Sequence, residues 1–307
     1  MKLEDLIDYF VSDVCAGKSN ETPIAYRRKL QHLINYLGAD CDSFGQEDID
    51  KFRRYLLERD TKKRGGKEVR GKLSKFTVRT VLATTRHFLK WAAQRGKIPT
   101  NLTLPNIKEP SPDPKAIEPI TVNLLLKAAA ETGPDWERAR NAAIIYVLRD
   151  TGGRVGAVSR IDLDNLYLED GYACAPDKGD QMAWLYFNEQ TIKAIQNWIK
   201  YRYQLDPKDY LLWTGMRGYG LSRQGIGRVL SRLAHAGGAT GRHNAHAFRH
   251  AFARDTILAG ADLGRVSQLM GHSNVVVTDK YYSRWTKREL KEAHRQFSPG
   301  RLLPFDF

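Results

Sequence analysis

Eight positions in the second two-thirds of the chain carry side chains suited to phosphate chemistry. Arg154 follows two glycines in TGGRVGAVSRIDLDNL, and Lys178 lies in DKGDQ. His246, Arg249 and His250 open the stretch HAFRHAFARDTILAGADLGRVSQLMGHSN, which closes on His272. Tyr281 and Tyr282 follow in VVVTDKYYSRW. His246 and Arg249 are three residues apart and so share one helix face, with Asn244 placed to cap that helix. Guanidinium groups grip phosphate oxygens through a planar fork, without needing a metal. A phosphodiester attacked by a side-chain oxygen needs a nucleophile, relief of its spreading negative charge and a proton for the leaving oxygen. Tyrosine, arginine with histidine, and lysine supply these in that order. His246 and His250 also have the i, i+4 spacing of metal ligands. The H-E-x-x-H pattern, however, needs Glu where this chain has Ala247. Neither a metal nor a cofactor is expected.

These side chains need a scaffold. Residues 137–149 read as a helix ending at Thr151-Gly152-Gly153, after which Arg154 opens another. NLYLED, GYACAP and MAWLYF read as short strands, with DKGDQ as the turn between the last two. Helices are expected near 189–203, 221–235, 245–259, 262–270 and 286–295. The second part is thus α-rich with a small three-stranded antiparallel sheet.

Ahead of it, six of the twelve prolines fall between 99 and 119. Proline fixes φ and restrains its predecessor, so 106–119 reads as an extended linker between residues 1–105 and 120–307. The first part reads as four helices and nothing else. Leu3, Leu6, Ile7, Phe10 and Val14 recur at helical spacing, and Thr22-Pro23 reads as a cap followed by a first helical proline. Ile49, Phe52, Tyr55 and Leu56 mark a third helix. A fourth turns Val78, Leu82, Thr85, Phe88, Leu89 and Ala92 inward. Its other face carries Lys75, Arg79, Arg86 and Lys90 as a basic stripe. TKKRGGKEVRGK, before that helix, reads as a loop whose Lys62, Lys63, Arg64, Lys67, Arg70 and Lys72 could meet phosphates.

Charge points the same way. The chain has 307 residues, 49 of them Lys or Arg and 35 Asp or Glu, for a net +14. Residues 1–105 hold 21 basic and 13 acidic side chains, so +8 of that total sits in the smaller part. Such an excess fits a polyanionic partner, most often nucleic acid. No apolar run is long enough to span a membrane, and the acidic, amphipathic start is no secretory signal. Three scattered cysteines (Cys15, Cys41 and Cys174) provide no disulfide framework and no zinc pair. A reduced, cytosolic protein is expected, associated with the nucleoid when bound to DNA.

The order of these motifs resembles the tyrosine recombinases, the family of phage integrases and Xer-type resolvases. HAFRHAFARDTILAGADLGRVSQLMGHSNVVVTDKYY is similar to that family's H-x-x-R-H … L-G-H-S … Y block almost without gaps. The resemblance implies a mainly α fold: an N-terminal four-helix, SAM-like core-binding domain and an α-rich catalytic domain. It implies that Arg154 and Arg249 clamp the scissile phosphate and that Lys178 protonates the 5′ leaving oxygen. His246 and His272 become phosphate donors. Counting nine positions from His272, as the family does, reaches Tyr281 as nucleophile, with Tyr282 as runner-up. It further implies double-stranded DNA as partner and a homotetramer acting on two sites.

One departure stands out. The family commonly has an acid three residues after the first arginine, where this chain has Ala157; Asp150, Asp162 or Asp164 could fill its place. Two rival functions also fit parts of the sequence. Residues 245–270, two helices around Ala259-Gly260-Ala261, mimic the helix-turn-helix of a non-catalytic DNA-binding regulator. A type IB topoisomerase would share the chemistry and relax supercoils without site preference.

Overall fold

A computed structural model describes residues 1–17, 21–64, 67–106, 116–177 and 181–271, with the backbone alone for 61–64 and 67–69. The chain divides into two compact units, Met1–Pro110 and Ser111–Phe307.

The first unit packs four helices: α1 (Leu3–Cys15), α2 (Glu21–Leu37), α3 (Gln46–Glu58) and α4 (Lys75–Gln94). Their apolar stripes meet in one core of Leu6, Phe10, Leu33, Phe52, Leu82 and Phe88, among others. Phe10 sits at its centre, with ring centroids 5.5 Å from Phe88 and 5.3 Å from Trp91. Ser74 caps α4, its hydroxyl accepting from the Thr77 amide at 3.0 Å. The inward residues expected on α4 are buried, and Val81, Thr84 and Trp91 join them.

Two features depart from the expected local structure. Residues 61–72 are not a plain loop. Strands β1 (Thr61–Arg64) and β2 (Lys67–Arg70) pair antiparallel, Thr61 opposite Arg70 and Arg64 opposite Lys67. The two glycines at 65–66 are the turn signal that a count of charges passed over. Also, α2 already includes Glu21, so Thr22 and Pro23 lie inside its first turn instead of forming a cap and first position. Proline costs little there, because the amide it lacks would have no helical partner.

The second unit opens with α5 (Pro119–Glu131), a helix the sequence reading left unassigned. Proline is its first residue, as helix starts favour. Just before it, Ile117 is 1% exposed and its amide donates to the Ala247 carbonyl at 2.9 Å. The proline-rich stretch therefore delivers its last residues into the core of the second unit.

Next come α6 (Asp135–Thr151), α7 (Val155–Ser159), the strands β3 (Leu166–Tyr167), β4 (Tyr172–Pro176) and β5 (Met182–Tyr186), and α8 (Glu189–Arg202) with a short 3-10 turn, Tyr203–Leu205. Helices α9 (Arg223–Ala236), α10 (Ala245–Leu258) and α11 (Leu263–Leu269) follow. The strands form an antiparallel sheet in the order β3-β4-β5. Helix α6 is buried along most of its length: Ala143, Ile144, Val147 and Leu148 are fully covered. It lies against α8, α5 and α10, and it carries the glycine pair to the site.

Side-chain ties close the second unit. Arg202 is 2% exposed and donates to the Leu211 carbonyl at 3.0 Å and the Asp209 carbonyl at 2.6 Å. Trp198 and Trp213, both fully buried, each donate an indole N–H to a backbone carbonyl at 2.7 Å. A buried polar group costs free energy unless it is paired, and these pairings hold the loop 206–214 against α8 and α7.

Candidate active site

Three of the six expected catalytic residues lie among the described residues: Arg154, His246 and Arg249. Helix α6 ends at Gly152, whose φ of +57° is left-handed, and the chain reverses there into α7. A Cβ at Gly152 would overlap the root of the Phe252 ring, so glycine is required by both backbone and space. The reversal leaves Arg154 as the N-cap of α7.

Helix α10 brings the other two. The Asn244 side chain accepts from the Ala247 amide at 3.0 Å, the cap expected from sequence. His246, in the first turn, is exposed, whereas Arg249 is 7% exposed. The Arg249 guanidinium donates from Nη1 to the Gly152 carbonyl at 2.8 Å and from Nη2 to the Met270 carbonyl at 2.7 Å. It thereby fastens the ends of α6 and α11 to α10. Arg154 reaches the same place, its Nη1 lying 3.3 Å from the Gly271 carbonyl. Both guanidiniums thus converge on the chain at 270–271.

Arg154 Nη1 also forms an ion pair with the Asp177 carboxylate, whose side chain is 9% exposed. Asp177 is the residue that sequence reasoning missed. The acid expected in place of Ala157 does not come from the three candidates named for it. Asp150 accepts from the amide and side chain of Asn188, at 2.7 and 3.0 Å. Asp162 accepts from Asn165, and Asp164 is exposed. Ala157 itself is fully buried in the core. The DKGDQ turn was legible, but only the antiparallel pairing of β4 with β5 places its first residue against Arg154.

Asp177 and Gly271, which contact Arg154, are the chain neighbours of Lys178 and His272. Lys178, His272, Tyr281, Tyr282 and the helix expected at 286–295 lie outside the described residues. Burial, then the neighbours His246, Arg249 and Arg242, hold the His250 imidazole below its ordinary pKa. His250 is thus harder to protonate than a free imidazole, while His246 is exposed to solvent.

In the first unit, Lys75 and Lys90 are exposed on α4, and the Arg79 guanidinium lies over the Phe76 ring at 5.6 Å. Arg70 and Lys72 are exposed as well. Lys62, Lys63, Arg64 and Lys67 lie in the hairpin strands, and their side chains are outside the described residues. Arg86 has an additional structural task. It donates to the Leu104 carbonyl at 2.6 Å and the Pro105 carbonyl at 2.9 Å, holding the segment after α4 against that helix.

Comparison with known proteins decides the family. Residues 115–288 match the phage integrase family, and residues 7–96 match its N-terminal SAM-like domain. The chain belongs to the phage integrase family. It is a tyrosine-type site-specific recombinase, mainly helical, with a small three-stranded antiparallel sheet. Tyrosine recombinase XerD of Listeria innocua is 26% identical over 310 residues, covering 97% of this chain and 99% of that one. Tyrosine recombinase XerC of Neisseria meningitidis is 28% identical over 276 residues, covering 89% and 88%.

Among solved structures, the Tn1549 transposon integrase in complex with circular intermediate DNA superposes with a TM-score of 0.74 at 18% identity, covering 97% of this chain and all of that one. The XerH site-specific recombinase bound to palindromic difH substrate gives 0.72 at 20% identity, covering 93% and 83%. These likenesses establish the shared fold. Among the described residues, no helix of this recombinase is long and apolar enough to cross a membrane.

Proposed function

We propose that the chain cuts and rejoins double-stranded DNA through a covalent 3′-phosphotyrosyl intermediate. The observation that carries this reading is the convergence of Arg154 and Arg249 on the chain at Met270–Gly271. Two fixed guanidiniums there suit the non-bridging oxygens of one scissile phosphate, whose charge grows as the bond breaks. The Tyr281 oxygen attacks phosphorus and passes its proton to His246 as the bond to the 5′ oxygen breaks. Lys178 protonates the departing 5′ oxygen, and His246 and His272 donate hydrogen bonds to the phosphoryl group. The phosphotyrosyl ester keeps the energy of the broken bond. A 5′-hydroxyl from a partner strand then attacks it, restoring the phosphodiester and the free tyrosine. No metal or cofactor takes part in these steps.

Residues 1–105 grip the duplex in this scheme. The β1–β2 hairpin, the exposed Lys75 and Lys90 and the half-buried Arg79 of α4 meet backbone phosphates, and Arg86 supports the segment after α4. Residues 106–119 connect to the catalytic part, 120–307. Four protomers act on two sites, because each strand exchange needs two cleaved ends. The XerH and Tn1549 structures, which hold DNA, support the choice of partner.

The test begins with DNA trapped covalently by the protein in its host and sequenced. Nicked duplexes of the recovered site are then offered to the wild-type protein, Tyr281→Phe and Tyr282→Phe. A covalent adduct with wild type and Tyr282→Phe, and none with Tyr281→Phe, is expected. Loss only in Tyr282→Phe would move the nucleophile by one residue. Tight binding with no adduct in any of the three would make the protein a regulator.

A further inference from the structure

The three-stranded sheet has two unlike faces. Ala173, Ala175 and Leu185 point inward and are buried. Side chains alternate along a strand, so Tyr172 on β4 and Trp184 and Tyr186 on β5 point outward. The register sets Tyr172 opposite both Tyr167 of β3 and Tyr186. Its ring centroid lies 4.8 Å from Tyr167, 5.5 Å from Trp184 and 6.4 Å from Tyr186. Although all three rings tilt against Tyr172, Trp184 and Tyr186 are each 53% exposed and Tyr167 is 40% exposed. A contiguous aromatic patch of this kind marks an interaction surface more often than scattered apolar residues do.

Charge specifies the partner. Residues 161–189 contain seven acids and one base, Lys178, a net charge of −6 within a chain of +14. Glu169 and Asp170, between β3 and β4, are exposed and form no ion pair among the described residues. Trp184 lies two residues along its strand from the Pro176–Met182 pair, about 7 Å at the usual strand rise, and the Tyr172–Tyr186 pair lies four residues along, about 13 Å.

We propose that this outer face docks a cationic peptide segment of a partner protein. Its arginine or lysine side chains lie over the Trp184, Tyr186 and Tyr172 rings, with Glu169 and Asp170 as counter-ions. The negative ring faces attract a cation, tryptophan most strongly. Nucleic acid is the poorer occupant: its bases could stack on the rings, but its phosphates would meet the carboxylates of Glu169 and Asp170.

The experiment uses the full chain labelled with 5-fluorotryptophan. The Trp184 signal in 19F NMR is the one absent from Trp184→Phe. Hexaarginine, hexaglutamate and an oligothymidylate are titrated in turn. Hexaarginine is expected to shift the Trp184 signal saturably, and hexaglutamate to leave it in place. Tyr186→Ser, and separately Glu169→Lys with Asp170→Lys, should each weaken the hexaarginine effect about tenfold. These positions are exposed, and unchanged signals from buried Trp198 and Trp213 report an intact fold. A Trp184 signal that ignores hexaarginine would overturn the proposal. So would one that responds equally in the charge-reversed variant, or one that responds to oligothymidylate instead.

Discussion

Replacing Asp177 with asparagine keeps the shape of the side chain and removes its charge. The pair it makes with Arg154 lies between two limits: Asp177 is 9% exposed and Arg154 34%. Exposed ion pairs contribute about 0–1 kcal/mol, whereas removing one partner of a buried pair costs about 3–5 kcal/mol. A stability loss of about 1–2 kcal/mol follows for Asp177→Asn, because asparagine still offers an oxygen to the guanidinium. The effect on chemistry should be larger than that loss implies. Arg154 must present its donors where the phosphate charge grows, and every about 1.4 kcal/mol of lost transition-state stabilisation slows the step tenfold. Single-turnover adduct formation on a nicked duplex, with protein saturating, should fall by about tenfold to a hundredfold. Duplex affinity should hold or tighten, since a negative charge has left the phosphate site. Asp177→Glu, which restores the charge at a longer reach, should recover part of the rate. An unchanged rate would show that Asp177 does not position Arg154. A faster one would show that the carboxylate blocks the phosphate site.

Other perturbations test the same architecture. Gly152→Ala should cost about 2 kcal/mol or more of stability by forcing a Cβ into a left-handed turn and against Phe252, and thermal melting will report it. It should also slow adduct formation, because the Gly152 carbonyl anchors Arg249. Arg202→Met leaves the carbonyls of Asp209 and Leu211 without their buried donor and should lower stability by about 2–4 kcal/mol in chemical denaturation. The folded-state pKa of His250 lies below the ordinary 6.5, so the unfolded chain binds the extra proton first. Its stabilising contribution is present above pH 6.5 and is lost as pH falls from there through the folded-state pKa. Wild type should therefore lose more melting temperature than His250→Gln between pH 7.5 and 5; equal losses would remove His250 from the account.

What could be read in advance depended on how local each signal was. The cap at Asn244, the helix end at Gly152-Gly153 and the three short strands follow from residues within a turn or two of one another. Each appears near where the pattern put it, although the first strand keeps only Leu166–Tyr167 of NLYLED and turns at 168–170. Helix α5 was missed because the prolines around residues 99–119 suggested an extended chain throughout, although Pro119 is the first residue of the helix. The β1–β2 hairpin was hidden behind its charges, which look the same in a loop and in a strand. Asp177 was illegible for a different reason. It meets Arg154 across 23 residues through a sheet register, and nothing near Ala157 signals that a carboxylate reaches Arg154 from there. Arg86 looked like one of four equivalent cations on α4. Only the returning segment at Leu104–Pro105 shows that its guanidinium also holds two carbonyls.

The hydrogen bond from the Ile117 amide to the Ala247 carbonyl has a mechanical consequence. Ala247 directly follows His246 and lies two residues before Arg249, in the first turn of the helix that carries both. A pull on the chain upstream of residue 117 therefore meets that turn before any other part of the second unit. It can travel further only by drawing the Ile117 side chain out of the core, at about 1.5–3 kcal/mol, and breaking the bond as well. Below that threshold Ile117 acts as a strain relief, so that a pull on the connecting segment leaves helix α10 undisturbed. Above it, the bond to Ala247 is broken and the tension passes on to Pro119 and α5 instead.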